Sequence, residues 1–325
     1  MRLIVNWDGK SIVGARIAAA RPLAARVLVG QSTEKALALV PRLFSLCGQA
    51  QGVAARLALQ AAQGQTAGTE ERENALRSVA LEAAVEHLWR LLLDWPALLG
   101  GSARKSEFLF WRQRLLGVSD SLSAAKLGAE LAAWLDREAL PELGLATASA
   151  PGALLPWMNA GQWAQEAIDE SFASRPRLAG QTAETGVLAR QSGDAAVAKW
   201  REKGFGVTAR IAARYADLRD LAKGLISPDR LAGWLDAAPF GENGGLARVE
   251  TARGLLLHAV QAQHGIVQRY VIVAPTEWNF HPQGAFIGEI VGSPAPTRAQ
   301  AETLARCLAL ALDPCVAFEV VVEEV

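Results

Sequence analysis

Glu250-Thr-Ala-Arg253-Gly254-Leu-Leu-Leu-His258, continued by Tyr270-Val-Ile-Val-Ala-Pro275-Thr276-Glu277-Trp278-Asn279 and closed by Asp313-Pro314-Cys315, is the most informative stretch of this chain. Arg248–Val273 reads as two strands joined near Gln263-His264-Gly265. The second, Ile266-Val-Gln-Arg-Tyr-Val-Ile-Val, is dense in β-branched residues, which fit a pleated, half-buried surface. Pro275 opens an irregular loop that contains Pro282, Gly284, Gly288, Gly292, Pro294 and Pro296. The box Thr297-x-x-Gln300 then signals a helix start, and Leu304, Leu308 and Leu312 line one face of that helix. Pro314 disfavours the α conformation in the residue before it, so the helix must stop near Asp313, with Cys315 just beyond its end.

Working outward, Leu3-Ile-Val-Asn-Trp-Asp-Gly-Lys-Ser-Ile-Val-Gly carries two β-branched runs around Asp8-Gly9 and predicts an N-terminal β-hairpin. Between the two ends the pattern is helical. Thr69 before Glu70 and Glu71 reads as an N-cap, Leu81, Val85, Leu88 and Leu92 recur at helical spacing, and Pro96 with Gly100-Gly101 ends that helix. Further helices are expected at about 104–116, 121–138, 156–173, 187–201 and 205–223, and Ser227-Pro228 opens another. The fold class is therefore mainly α with small β elements (α+β), in a single domain over 1–325. It divides into a hairpin (1–20), a helical core (34–236) and a region of hairpin, loop, helix and Asp-Pro-Cys segment (246–325).

Composition narrows the function classes. The 325 residues carry 33 basic and 33 acidic side chains, which removes the bulk attraction that nucleic-acid or anionic-membrane binding relies on. With 51% hydrophobic residues the chain is not disordered. Neither a leader-like start nor an apolar run of membrane length is read, so a cytoplasmic protein is expected. Three cysteines, Cys47, Cys307 and Cys315, are too few for a disulfide framework, and none lies in a Cys-x-x-Cys pair. Each alone reads as a small buried hydrophobe, Cys307 most plainly, on the apolar face of a helix. His87, His258, His264 and His281 show no metal-ligand spacing; His87 reads as a partly buried polar position. No GxSxG, phosphate loop or GxGxxG is present. The 26 arginines read mostly as solvated faces or exposed ion pairs. Trp89, Trp111, Trp134, Trp157 and Trp163 read as core, and Trp278 as a brace for the loop that presents Thr276.

The quoted motifs resemble those of the large subunit of nickel–iron hydrogenases, in which E-A-P-R-G-x-L-x-H leads to P-T-T-W-N and then to D-P-C-x-x-C-x-x-H. Glu184-Thr-Gly-Val-Leu-Ala-Arg190 is similar to that family's E-V-G-P-L-A-R, and Arg42-Leu-Phe44-Ser-Leu-Cys47 to its R-I-C-G-V-C. The resemblance implies a large-subunit-like helical core. In that family four thiolates hold nickel, and two of them bridge to an iron carrying cyanide and carbon monoxide. Here Phe44 and Phe318 stand where two of the thiolates would be, and Gln51 and Val321 where the motif histidines would be. No R-I-E-G-H element precedes Trp7, and a C-terminal extension like the one a maturation protease removes from the large subunit is not expected after Val325. The implied protein is not an enzyme, does not oxidise hydrogen and takes no nickel.

What is kept implies a different role. Arg253 and Thr276 match the residues that hydrogen-bond the cyanides, and a guanidinium and a hydroxyl suit that acceptor-only anion. Ala252, Pro275, Asp313 and Pro314 support them. Cys47 corresponds to an iron-bridging position and Cys315 to a nickel-terminal one. This combination resembles the hydrogenase expression/formation proteins of the HupK/HoxV type. It implies that an Fe(CN)2(CO) fragment is held as transient cargo by Cys47 and Cys315, or by Cys47 alone. The implied partners are the maturation proteins that assemble the fragment and the precursor of the large subunit. Two alternatives stand beside it: a metal-free docking protein in hydrogenase assembly, and a relative of the quinone-reactive subunit of complex I. The second expects a His and Tyr pair near the N-terminal hairpin, and neither residue type occurs before His87.

Overall fold

The two ends of the chain lie side by side. In a computed structural model that describes residues 1–18, 24–44, 46–139, 147 and 152–325, strand β1 (Arg2–Trp7) pairs antiparallel with β2 (Ile12–Ala18). It also pairs in parallel with β7 (Glu319–Glu324), the last element of the chain. Asp8-Gly9 forms the expected turn: Gly9 has φ +90°, and the Asp8 carboxylate accepts the Lys10 and Ser11 amides. Positions 19–20 of the expected hairpin region, Ser45 of the Arg42–Cys47 motif, and 140–146 and 148–151 of the expected helical core lie outside the described residues.

After a 3-10 turn (Ala24–Leu28) come α1 (Thr33–Leu43), α2 (Gly48–Ala62) and α3 (Thr69–Trp89). Thr69 is the first residue of α3 rather than its cap; Gly68 holds that place. Pro96 does not end this helix. The chain runs on through a π-helical segment (Arg90–Asp94) into α4 (Trp95–Leu98), and the wider turn accommodates a residue that has no N–H to give. Gly100, at φ +77°, ends it. Next are α5 (Lys105–Leu116) and α6 (Ser121–Leu135).

The helix expected over 156–173 is two short ones, α7 (Ala160–Trp163) and α8 (Glu170–Ser174), each begun by a side-chain cap, Asn159 and Asp169. The one expected over 187–201 is likewise divided, into α9 (Val187–Arg190) and α10 (Ala195–Glu202), because Asp194 caps a fresh start. The long α11 (Gly206–Ile226) follows. Ser227-Pro228 then opens a 3-10 segment (Pro228–Trp234), without a side-chain cap from Ser227.

A four-stranded antiparallel meander comes next: β3 (Leu235–Pro239), β4 (Gly244–Thr251), β5 (Gly254–Gln263) and β6 (Ile266–Val273). The stretch read as two strands therefore holds a further turn at Ala252-Arg253, made tight by the Thr251 hydroxyl, which accepts the Arg253 and Gly254 amides. Alternation along β5 sends Leu256 and Val260 to the main core, and Leu255, Leu257 and Ala259 to a second core around Trp163 and Trp278. Helix α2 lies so close on β4 that a Cβ at Gly245 would meet the Ala58 carbonyl oxygen at 2.0 Å. The loop after Pro275 contains α12 (Pro275–Asn279) and α13 (Ala285–Ile290). Then α14 (Arg298–Leu312) starts on Thr297, which accepts the Gln300 amide, and ends as expected at Asp313, which is left-handed at φ +53°. Among the described residues, no helix is long and apolar enough to cross a membrane.

Candidate functional site

Four sequence-distant segments interlock behind one cavity. Gly186, at φ +109°, lets the Glu184–Arg190 segment press onto the β4–β5 turn, where a Cβ would stand 2.6 Å from the Arg253 carbonyl oxygen. The Thr185 hydroxyl accepts the Leu255 amide at 2.9 Å, and the Thr185 amide donates to Asn279 Oδ1 at 2.9 Å. Asn279 in turn donates to the Leu312 carbonyl at 3.2 Å, tying α12 to the end of α14. Ala252 and Pro275 are buried within this junction.

The sequence-derived site residues fall on this frame. Thr276 is buried in the first turn of α12; its hydroxyl lies 3.1 Å from Cys315 Sγ and accepts the Cys315 amide at 3.1 Å. Pro314 lines a groove of about 1050 Å³ that the Arg253 and Glu86 side chains also reach. Arg253 pairs with Glu86 through Nη1, and its Nε lies 3.6 Å from Asp313 Oδ1. That Nε is buried and has no hydrogen-bond partner. Asp313 also takes Arg90 at 2.7 Å and Arg214 at 3.0 Å. Burial alone would raise its carboxyl, but the Arg90, Arg214 and Arg253 guanidiniums outweigh burial and hold it well below the usual range.

Cys47 is the half-buried residue that starts α2. Burial pushes its thiol up to about 12, the charge of Glu86 adds to this, and Arg253 and a 3.6 Å contact from Gln51 Nε2 oppose it. Glu86 is itself raised to about 8, by burial first, with Arg253 opposing and Asp313 and Glu82 adding. Burial would lower the Arg253 guanidinium, but the Asp313 and Glu86 carboxylates outweigh it and keep Arg253 charged. Cys307 is fully buried in the main core, as expected. Among the described residues, no group of three or more His, Cys, Asp or Glu side chains is placed to hold a metal ion unaided.

Several polar residues gain roles the sequence did not announce. His87 is fully buried rather than partly buried: Nε2 meets Asp217 at 2.8 Å and Nδ1 meets Arg214 at 3.0 Å. Arginine can only donate, so Nδ1 is bare and the ring is neutral. Arg190 clasps Asp217 at 2.9 and 2.7 Å and reaches Glu250 at 2.6 Å. Arg210 bridges Glu184 and Glu289. Arg210, Arg214, Arg248 and Arg253 are thus buried and paired, against the expectation of solvated faces. Trp89 and Trp157 are exposed rather than core, and Trp89 lines the groove. The Glu82, Glu86, Arg90 series has a sequence signal: it recurs every four residues from α3 into the π-helical segment, along one helical face.

Comparison with known proteins follows the same lines. No family model matches the chain. It is 33% identical over 337 residues to the hydrogenase expression/formation protein HupK of Rhizobium leguminosarum bv. viciae, covering 92% of this chain and 90% of that one. The chain belongs to the HupK/HoxV family of hydrogenase expression/formation proteins. HupK of Azotobacter vinelandii is 35% identical over 95% of this chain and 93% of its own, and HoxV of Cupriavidus necator 35% identical over 94% and 92%. Among solved structures, a chain of the nickel–iron–selenium hydrogenase of D. vulgaris Hildenborough superposes with TM-score 0.69 at 15% identity, covering 95% of this chain and 94% of that one. This HupK/HoxV chain therefore has the hydrogenase large-subunit fold.

Proposed function

We propose that this HupK/HoxV protein is a non-catalytic assembly scaffold in the cytoplasm. It takes an Fe(CN)2(CO) fragment as substrate from the maturation proteins that assemble it, holds it, and passes it to the precursor of the nickel–iron hydrogenase large subunit. The observation that carries this is Arg253: a buried guanidinium held by Glu86 and Asp313, whose Nε–H makes no hydrogen bond. A buried donor without an acceptor is costly to maintain, and a cyanide nitrogen is the acceptor-only, anionic group that would satisfy it. The Thr276 hydroxyl, now turned to Cys315 Sγ, supplies the second donor. Cys47 and Cys315 are the metal ligands in this reading, and their softness suits low-spin iron rather than a four-sulfur nickel site.

Cys47 is protonated at neutral pH, so loading must expel its proton. That requirement weakens the hold and favours onward transfer. The cargo enters and leaves by the groove whose floor includes Arg253 and Glu86. The raised thiol also favours a second reading, a metal-free docking protein with both thiols inert. A quinone site finds no support, because His258 and Tyr270 are buried and bonded to each other at 2.8 Å.

Infrared spectroscopy of protein purified from cells with intact maturation machinery separates these readings. Cyanide and carbonyl bands are expected, lost in Cys47→Ala and displaced in Arg253→Ala. Absence of bands where a known carrier shows them, with Cys47→Ala and Cys315→Ala still supporting hydrogenase assembly, would leave the docking reading.

A further inference from the structure

Beneath Cys47 runs a short chain of uncharged groups that the scaffold reading does not use. Tyr270 Oη lies 2.8 Å from His258 Nδ1, His258 Nε2 lies 2.8 Å from Gln51 Oε1, and Gln51 Nε2 lies 3.6 Å from Cys47 Sγ. Gln51 is one helical turn after Cys47, which caps α2, while His258 and Tyr270 are diagonal neighbours across β5 and β6, where His258 pairs with Ile272 and Tyr270 with Val260. His258, Tyr270 and Gln51 are 0%, 3% and 2% exposed, so no bulk water competes for these bonds.

We propose that Tyr270 and His258 are positioning residues that fix the Gln51 amide with its N–H toward the Cys47 sulfur, keeping that sulfur prepared to act as a metal ligand. Two arrangements of the hydrogens are conceivable. In one, Tyr270 donates to Nδ1, Nε2–H donates to Gln51 Oε1, and the amide N–H faces sulfur. In the other every direction is reversed: the amide oxygen faces sulfur, and the Tyr270 hydroxyl hydrogen is left without an acceptor among the described residues. The first strands only a thiol hydrogen, a weak donor, whereas the second strands a buried hydroxyl hydrogen, which costs more. Burial holds His258 neutral, so the relay orients without supplying charge.

The inference rests on the scaffold reading only for naming iron as the ligand's partner; the orientation itself belongs to the empty protein. The test is the rate at which iodoacetamide alkylates Cys47 at pH 8, followed by mass spectrometry with Cys315 and Cys307 as internal references. Tyr270→Phe, His258→Leu and Gln51→Leu are each expected to slow Cys47 by three- to tenfold, the loss of about one hydrogen bond, with the Cys315 rate unchanged. His258→Gln, which can place an N–H where Nε2 stands, is expected to restore the wild-type rate. Should His258→Leu or Gln51→Leu not fold, Tyr270→Phe, which removes only the hydroxyl, still decides the matter against the Cys315 rate. A Cys47 rate in Tyr270→Phe equal to or above wild type, or a fall shared equally by Cys315, would overturn the proposal. Missing infrared bands would defeat the cargo reading while leaving this result intact.

Discussion

Asp217→Asn is the sharpest probe of the buried charge network behind the site. Asp217 is 1% exposed and takes two hydrogen bonds from Arg190, one from His87 and one from Gln191 at 3.2 Å. Asparagine keeps the shape and removes the charge, and its NH2 group must then face donors. Taking one partner from a buried ion pair costs about 3–5 kcal/mol, so urea unfolding at pH 7 should show a loss of that order. The pH dependence gives a second check. Burial raises the Asp217 carboxyl, but the Arg190 guanidinium and His87 outweigh burial and hold it far below the usual carboxylate range. A depressed carboxylate stabilises the fold above the unfolded value and loses that contribution as pH falls. The wild-type advantage should therefore be flat from pH 8 to 5 and shrink below pH 4, by roughly 1 kcal/mol at pH 3 at about 1.4 kcal/mol per unit. A difference under about 1 kcal/mol at pH 7, or one unchanged at pH 3, would refute the reasoning.

Gly186→Ala should cost about 2–4 kcal/mol in thermal or urea unfolding, since it combines a left-handed φ of +109° with a Cβ 2.6 Å from the Arg253 carbonyl oxygen. A loss below about 0.5 kcal/mol would mean the two segments are not clamped there. Thr276→Val leaves the Cys315 amide without its acceptor and should cost about 1–2 kcal/mol, while Thr276→Ser keeps both bonds and most of the stability. His87 should appear by nitrogen NMR as the neutral Nε2–H form down to about pH 5, because burial, with Arg214 adding, lowers it to about 4. An imidazolium at pH 6 would contradict this.

The sequence made the helices with continuous periodicity legible: Lys105–Leu116 and Gly206–Ile226 lie within a few residues of expectation. It failed where a cap restarts a helix, as at Asp169 and Asp194, because two short helices share one apolar pattern with a long one. The turn at Ala252-Arg253 was hidden because Thr251 and Leu255 both suit strands, and only the Thr251 hydroxyl shows the reversal. Val320-Val-Val has strand composition, but its partner is β1 at the other end of the chain, which no local pattern reveals. Arg253, Thr276, Cys315 and Asp313 could be named from their motifs. His87 and Asp217 could not, because they meet across 130 residues of sequence.

The parallel pairing of β1 with β7 sets an order of events for the cell. β1 leaves the ribosome some 317 residues before the Glu319 side chain that its Arg2 will meet, an interval of roughly 15–60 s at ordinary elongation rates. Through that time β1 has only β2 beside it, and the Thr276 hydroxyl waits for a cysteine not yet made. On the scaffold proposal, a nascent chain is thus unable to accept cargo, and that capacity would arrive together with the closing strand. On that proposal, loading would be timed by synthesis itself, after β7 has emerged.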